Sequence, residues 1–298
     1  MKTSEKERPL QIAIASGKGG AGKTSVAVAL LQANAERTRL VDCDVEEPDC
    51  HLFLDAPIVQ KKPVTQLIPH ILADQCRHCG RCVRACQFNA LALAGDSGVM
   101  VFTELCHACG ACAQICPAGA IEEVSTPVGE LIQRQSEKGW ELVTGILSVG
   151  HAAAPGVISA ARRETPVRPV PFTLLDSPPG AACSLVTTLR DCDFALLVAE
   201  ATPFGLHDLE LAMETSKKLD VPCAVVVNRM RPGRTLIQDF CKVQGVPILI
   251  EIPEKREIAE SIAAGGSLLD AEPDLRNDFR NLLDKCKQMI NSSRAAHG

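Results

Sequence analysis

Gly17-Lys18-Gly19-Gly20-Ala21-Gly22-Lys23-Thr24 satisfies the pattern G-x-x-x-x-G-K-[ST] at every fixed position. The apolar run 11–15 before it reads as a buried strand, and the Ala-, Val- and Leu-rich stretch 23–35 behind it reads as a helix. Between a strand and a helix, such glycines let successive backbone N–H groups curl around phosphate oxygens. Lys23 would reach the β- and γ-phosphates, and the Thr24 hydroxyl would ligate Mg2+. Gly17, Gly19, Gly20, Ala21, Gly22 and Ser25 complete the expected nucleotide contacts.

Outward from this loop, residues 39–42 read as a second strand ending in carboxylates. Further apolar runs fall at 142–147, 172–175, 194–198, 224–227 and 248–250. Amphipathic stretches at 206–219, 257–264 and 274–289 separate several of them. Strands alternating with helices predict an α/β fold whose mostly parallel sheet is flanked by helices. The chain has 298 residues, a net charge of −5 and 46% apolar content, which excludes general disorder. That balance also argues against a nucleic-acid binder relying on positive charge, so no nucleic acid is expected. No apolar run reaches the roughly 18 residues of a membrane span, and the first residues carry no secretory pattern. A cytoplasmic location is expected.

Fifteen residues are cysteine, and eight of them lie between Cys76 and Cys116. Clustered, regularly spaced cysteines in a cytoplasmic chain point to metal rather than disulfides. With that stretch removed, the remainder reads as one continuous domain. The expected parse is a nucleotide-binding domain, 1–69 and 126–298, interrupted by a cysteine-rich insertion, 70–125.

With Lys18 included, the loop resembles the deviant phosphate loop of the MinD/ParA/Mrp family, which also contains nitrogenase iron protein. The resemblance implies ATP sandwiched in a homodimer, with Lys18 crossing to the nucleotide of the other subunit. Val41-Asp42-Cys43-Asp44 is similar to the family's switch I. This implies a Mg2+-shell role for Asp42 and an attacking-water role for Asp44. Leu174-Leu175-Asp176-Ser177-Pro178-Pro179-Gly180 resembles switch II, with Asp176 holding Mg2+ through water. Asn228 resembles the family's adenine-contacting Asn, and Pro253 a residue lining the base pocket; both are equally readable as turn residues.

Cys76-x2-Cys79-x2-Cys82-x3-Cys86 recurs thirty residues later as Cys106-x2-Cys109-x2-Cys112-x3-Cys116-Pro117. Zinc is the competing reading of paired C-x2-C units, but it gives no reason for two matching four-cysteine runs. The repeat resembles a bacterial two-cluster ferredoxin, a small α+β module in which the fourth cysteine of each run serves the other cluster. The resemblance implies one [4Fe–4S] cluster on Cys76, Cys79, Cys82 and Cys116, and a second on Cys106, Cys109, Cys112 and Cys86. Gln87 stands where that family has a proline. His78 and His107, inside the runs, read as surface residues.

Cys192, Cys223, Cys241 and Cys286 read as core or near-core, while Cys43 and Cys50 flank switch I without a clear role. Cys183 lies seven residues after Asp176, a spacing shared with a ligand of the subunit-bridging cluster of nitrogenase iron protein. No cysteine occurs between Cys116 and Cys183, so the matching second ligand is absent and no bridging cluster is expected. Cys183 stays open as a transient ligand.

Three functions follow from the combination. The first is an ATPase, a P-loop NTP hydrolase, that gates electron transfer to a redox partner. The second is an Mrp-type carrier that delivers clusters to an apo-acceptor. The third, weakest, is a MinD-like spatial regulator, because the amphipathic C-terminal stretch reads as packed on its own domain rather than as a stable membrane anchor.

Overall fold

The computed structural model describes residues 8–95, 98–180 and 183–297. β1 (Leu10–Ala15) leads through the glycine-rich loop into α1 (Lys23–Ala33), followed by β2 (Thr38–Asp42) and β3 (Ile58–Ile71). The cysteine-rich stretch contains α2 (Arg81–Ala85), β4 (Leu91–Leu93), β5 (Val99–Val101) and α3 (Ala111–Ile115), after which β6 (Ile121–Gln135) returns. Then come β7 (Glu141–Leu147), α4 (Ala154–Arg163), β8 (Phe172–Asp176), α5 (Cys183–Leu189), β9 (Phe194–Glu200) and α6 (Pro203–Lys218). β10 (Cys223–Met230), α7 (Leu236–Gln244), β11 (Ile248–Pro253), α8 (Arg256–Ala263), α9 (Leu268–Ala271) and α10 (Arg276–His297) complete the order.

The described residues form a nine-stranded sheet in the order β11-β10-β9-β1-β8-β2-β7-β6-β3. It is parallel from β11 to β7, and β6 and β3 add antiparallel strands at one edge. Every residue of β2 and β8 is buried, because a parallel sheet is covered on both faces. Successive side chains point to opposite faces. Ile12, Ile14 and Leu174 therefore join the core layer with α1 and α10, while Ala13, Ala15 and Leu175 join the layer with α4 to α7. α10 buries Phe279, Leu282, Leu283, Cys286 and Ile290, so this apolar face is packed on the body. No helix among the described residues is long and apolar enough to cross a membrane.

Each strand expected from the sequence lies within an observed one; β3 and β6 were not expected at all. They form a long antiparallel ribbon, Ile58–Ile71 against Ile121–Arg134. β7 pairs with only its lower part, from Gly129↔Leu147 to Gln135↔Glu141. β7 runs parallel to β2 and β8, so Leu147 marks the carboxyl edge of the sheet. Beyond it, Thr65–Ile71 and their partners continue for roughly 24 Å, on the side where the phosphate loop lies. Val128 is left unpaired as a bulge where the ribbon leaves the sheet, between Val64↔Gly129 and Thr65↔Pro127. The ladder runs through 69/70 and 125/126, so paired strands join the cysteine-rich stretch to the body.

Candidate functional site

The phosphate loop is shaped by close approaches. A Cβ on Gly17 would sit 2.2 Å from the Asp208 carbonyl oxygen, so α6 packs directly on the loop backbone. Gly22 has φ +93°, and its Cβ would lie 2.3 Å from Asn228 Nδ2, so only glycine fits. Gly19, Gly20, Gly22, Lys23, Thr24 and Ser25 line a cavity of about 1060 Å³ at the carboxyl edge of the sheet. Asp44, Asn228 and Pro253 line the same cavity. Burial lowers the pKa of Lys23, and Asp176, Asp44 and Asp49 oppose that shift.

Below the cavity, buried carboxylates converge. The Thr24 hydroxyl donates to Asp176 Oδ2 at 2.7 Å, and the Cys50 thiol donates to the same oxygen at 3.3 Å. Asp42 accepts from the backbone N–H groups of Asp44, at 3.2 Å, and Cys50, at 3.1 Å. Asp42, Cys50 and Asp176 offer ligand atoms within 4.8 Å of one another. Asp176 is 1% exposed, and its Oδ1 has no hydrogen-bond partner among the described residues. Burial pushes the Asp176 carboxyl up to about 7, and burial together with Asp176 holds Asp42 well above the usual range. Ionising both carboxyls is costly unless positive charge stands beside them; the Lys23 ammonium partly supplies it for Asp176. Hard oxygen donors and an orphaned carboxylate oxygen suit Mg2+, with Thr24 and Asp176 as the residues to hold it. Asp44 is pushed up to about 6, chiefly by burial.

Lys18 does not line the cavity; it pairs with Asp208 at 3.4 Å and lies 5.6 Å from the Phe204 ring, both on α6 of its own chain. Asn228 spends its amide on the protein, donating to the Ala21 carbonyl at 2.8 Å and accepting from the Arg229 N–H at 2.9 Å. Asp49 was missed by sequence reasoning, and Cys50 was noted beside switch I without a role, since neither belongs to a spaced motif. Asp49 lines the cavity; burial raises its carboxyl, against the pull of Thr24 and Lys23. Of the remaining cysteines, Cys43, Cys192, Cys241 and Cys286 are buried and Cys223 is half-buried. The side chain of Cys183 lies outside the described residues.

At the ribbon tip, two much smaller cavities of about 20 Å³ each are lined by four cysteines. One is bordered by Cys76, Cys79, Cys82 and Cys116, the other by Cys86, Cys106, Cys109 and Cys112. The repeat is carried into the backbone. His78 and Ala108, Gly80 and Gly110, and Asn89 and Gly119 occupy matching positions, and all have φ between +50° and +72°. These turns fold the loops so that amides point at sulfur. Ala90 N–H donates to Cys86 Sγ at 3.3 Å, Ala120 N–H to Cys116 Sγ at 3.3 Å, and Ala108 N–H to Cys106 Sγ at 3.4 Å. Cys79 and Cys109 are exposed. Phe88 and His107 stack at 3.9 Å beside the second cavity. Gln87 and Pro117, at the same repeat position, are both exposed.

A mostly parallel sheet with a glycine-rich phosphate loop at its carboxyl edge defines a P-loop nucleotide-binding fold. The chain matches the CobQ/CobB/MinD/ParA nucleotide binding domain over residues 12–268, and it belongs to that family. Two uncharacterised proteins of Methanocaldococcus jannaschii, MJ0578 and MJ0579, are similar at 30% and 25% identity. Each match covers 94% of this chain, with 98% and 97% of the relatives respectively. The fold is similar to that of the septum site-determining protein MinD from Pyrococcus horikoshii complexed with Mg-ADP. That match has a TM-score of 0.55 at 17% identity and covers 96% of this chain and 99% of the other. It is similar also to a point variant of McdA from Cyanothece in complex with ATP, at TM-score 0.55 and 17% identity, covering 93% and 96%.

Proposed function

We propose that this protein is a dimeric ATP-hydrolysing switch joined to a two-[4Fe–4S] ferredoxin module, residues 70–125, and that its nucleotide state gates electron transfer to a partner protein. One observation carries the reading: two four-cysteine cavities stand on a ribbon that rises from the same sheet edge as the phosphate loop. The nucleotides in the MinD and McdA structures support ATP and Mg2+ for the large cavity. There the loop amides and Lys23 would hold the phosphates, while Thr24 and Asp176 hold Mg2+ with Asp42 behind them. Asp44, with a carboxyl near 6, is suited to orient the attacking water and accept its proton. Lys18 would act in the partner's site, which requires its pair with Asp208 to open.

The small cavities suit iron–sulfur clusters in three respects. Each offers four thiols, backbone amides are already aimed at three of the sulfurs, and the sulfurs are spread. Tetrahedral zinc, with Zn–S bonds near 2.3 Å, draws its sulfurs to about 3.8 Å from one another. Among the described residues, no three cysteines of either set lie mutually within 4.8 Å. Each bound cluster would supply one-electron transfer. The amides of Ala90, Ala108 and Ala120 would stabilise negative charge on sulfur and so set the potential. A second reading, cluster delivery to an apo-acceptor, draws on the exposure of Cys79 and Cys109. Complete four-thiol sets favour retention.

The test is anaerobic reconstitution followed by EPR-monitored titration with and without MgATP, in wild type and Lys23→Ala. About eight iron atoms per chain are expected, with two reduced-cluster signals that respond to MgATP only in wild type. Bound zinc without an iron–sulfur signal would sink the redox half and leave the nucleotide half standing.

A further inference from the structure

Among the described residues, one backbone hydrogen bond outside the ribbon joins residues 72–120 to the body: Ala152 N–H donates to the Glu104 carbonyl at 2.8 Å. Glu104 lies two residues before Cys106, a wall of the second cavity. Ala152 lies in the connection between β7 and α4, residues 148–153. This connection is also tied at its other end.

There, Leu147 N–H donates to the Val45 carbonyl at 2.8 Å, and Val45 directly follows Asp44 of the nucleotide cavity. Val45 is buried against Gly145, where a Cβ would meet Val45 Cγ1 at 2.8 Å. No gap is left between them, so a displacement of Val45 must move the end of β7. The next residue reaches the ribbon: Ser148 N–H donates to the carbonyl of Val128, the bulged residue where the ribbon leaves the sheet, at 2.9 Å. A turn follows, with Gly150 at φ +84° and His151 N–H bonded to the Ser148 carbonyl at 3.2 Å. The segment closes on Ala153 and Ala154, both buried, at the start of α4. α4 then lies against the ribbon, since a Cβ on Gly156 would overlap Gln66 of β3.

We propose that residues 148–153 form a strap through which the nucleotide loop at Asp44–Val45 and the second four-cysteine cavity change together. The inference rests on the proposed ATP-coupled module and names its coupling element. The segment, with Leu147 just before it, touches Val45, the ribbon base and the loop leading to Cys106, and it does so by directional backbone bonds that hold or break as units. Its attachment is one-sided: it meets the loop before Cys106, and among the described residues no backbone bond from it reaches the loop carrying Cys76, Cys79 and Cys82. The second cavity is therefore the responsive one.

Hydrogen exchange on the iron-loaded protein, with and without MgATP, tests this. In wild type, MgATP should change exchange in residues 99–112 by about threefold or more, the size expected when a coupling element is engaged, and change residues 72–82 less. Ala152→Pro removes the N–H that binds Glu104, and a two-glycine insertion after Gly150 slackens the strap while leaving that N–H in place. Both should abolish the response while keeping iron content and nucleotide affinity at wild-type levels. If Ala152→Pro loses iron, the insertion decides. A full response in a variant that retains iron and nucleotide binding overturns the strap but leaves the ATP-coupled module intact. A larger response in residues 72–82 also overturns the strap. A wild type whose residues 72–120 ignore MgATP overturns the coupled reading itself, and the strap with it.

Discussion

In the body, Phe172, Leu174, Phe194 and Phe279 are fully buried in one of two extensive apolar layers, and the sheet is sealed on both faces. In the cysteine segment the buried apolar cluster is Ala90 and Cys106, with Ile68 lent by the ribbon. The two regions are thus held by different means. Hydrocarbon removed from water stabilises the body. The segment has too little of it, and its loops bend through positive φ at non-glycine residues such as His78, Asn89 and Ala108. On the proposed reading, its order would depend on what its cysteines grip, whereas the body's would not.

The contrast breaks or sharpens most under metal removal. Stripping the metal anaerobically should cost the segment on the order of 10 kcal/mol, the scale of metal binding in small structural sites. Limited proteolysis should then cut within 72–120 and leave the body whole; an uncut segment would mean that it stands without metal. Next in size is the reverse perturbation. Phe172→Ala should lower the stability of the body by about 3–5 kcal/mol in denaturant titration, with the iron–sulfur absorbance unchanged before the body melts.

A smaller effect separates the two sites. MgATP at a hundred times its Kd should stabilise the body by about 2.7 kcal/mol, and Lys23→Ala should lose that gain in a thermal shift assay. Smallest is the cap of α9, beside Leu268 at the margin of the nucleotide cavity. Asp270 accepts from the Ser267 backbone and hydroxyl, which hold its carboxyl below the usual range. Its stabilisation is present above the unfolded carboxyl pKa of about 4 and is lost as pH falls through the lower folded value. Ser267→Ala should cost about 1 kcal/mol at neutral pH and less in acid, with no change in metal content.

The central sheet was legible in sequence because strands buried on both faces are written as unbroken apolar runs, as in Phe194–Val198. The ribbon was hidden for the opposite reason. β3 is an edge strand, mostly exposed, and carries Lys61, Lys62, Pro63 and Pro69, residues that read as loop yet protect an edge from pairing with other chains. Spacing alone announced the phosphate loop and the two cysteine runs. It could not announce Asp49 or Cys50, which arrive beside Asp176 only because β2 and β8 are neighbours. Nor could it show that the amide of Asn228 is spent on Ala21, a contact between residues 207 positions apart.

The pairing of β1 with β8 and β9 has a temporal consequence. Residues 10–15 find their partners only at 172–176 and 194–197, so the centre of the sheet cannot close until about two thirds of the chain has left the ribosome. The ribbon joins residues 58–71 to 121–134, and the last of the eight clustered cysteines is Cys116. During synthesis, all eight thiols are therefore outside and able to meet metal while the nucleotide site does not yet exist. On the proposed function, the chain would be loaded first and switched afterwards.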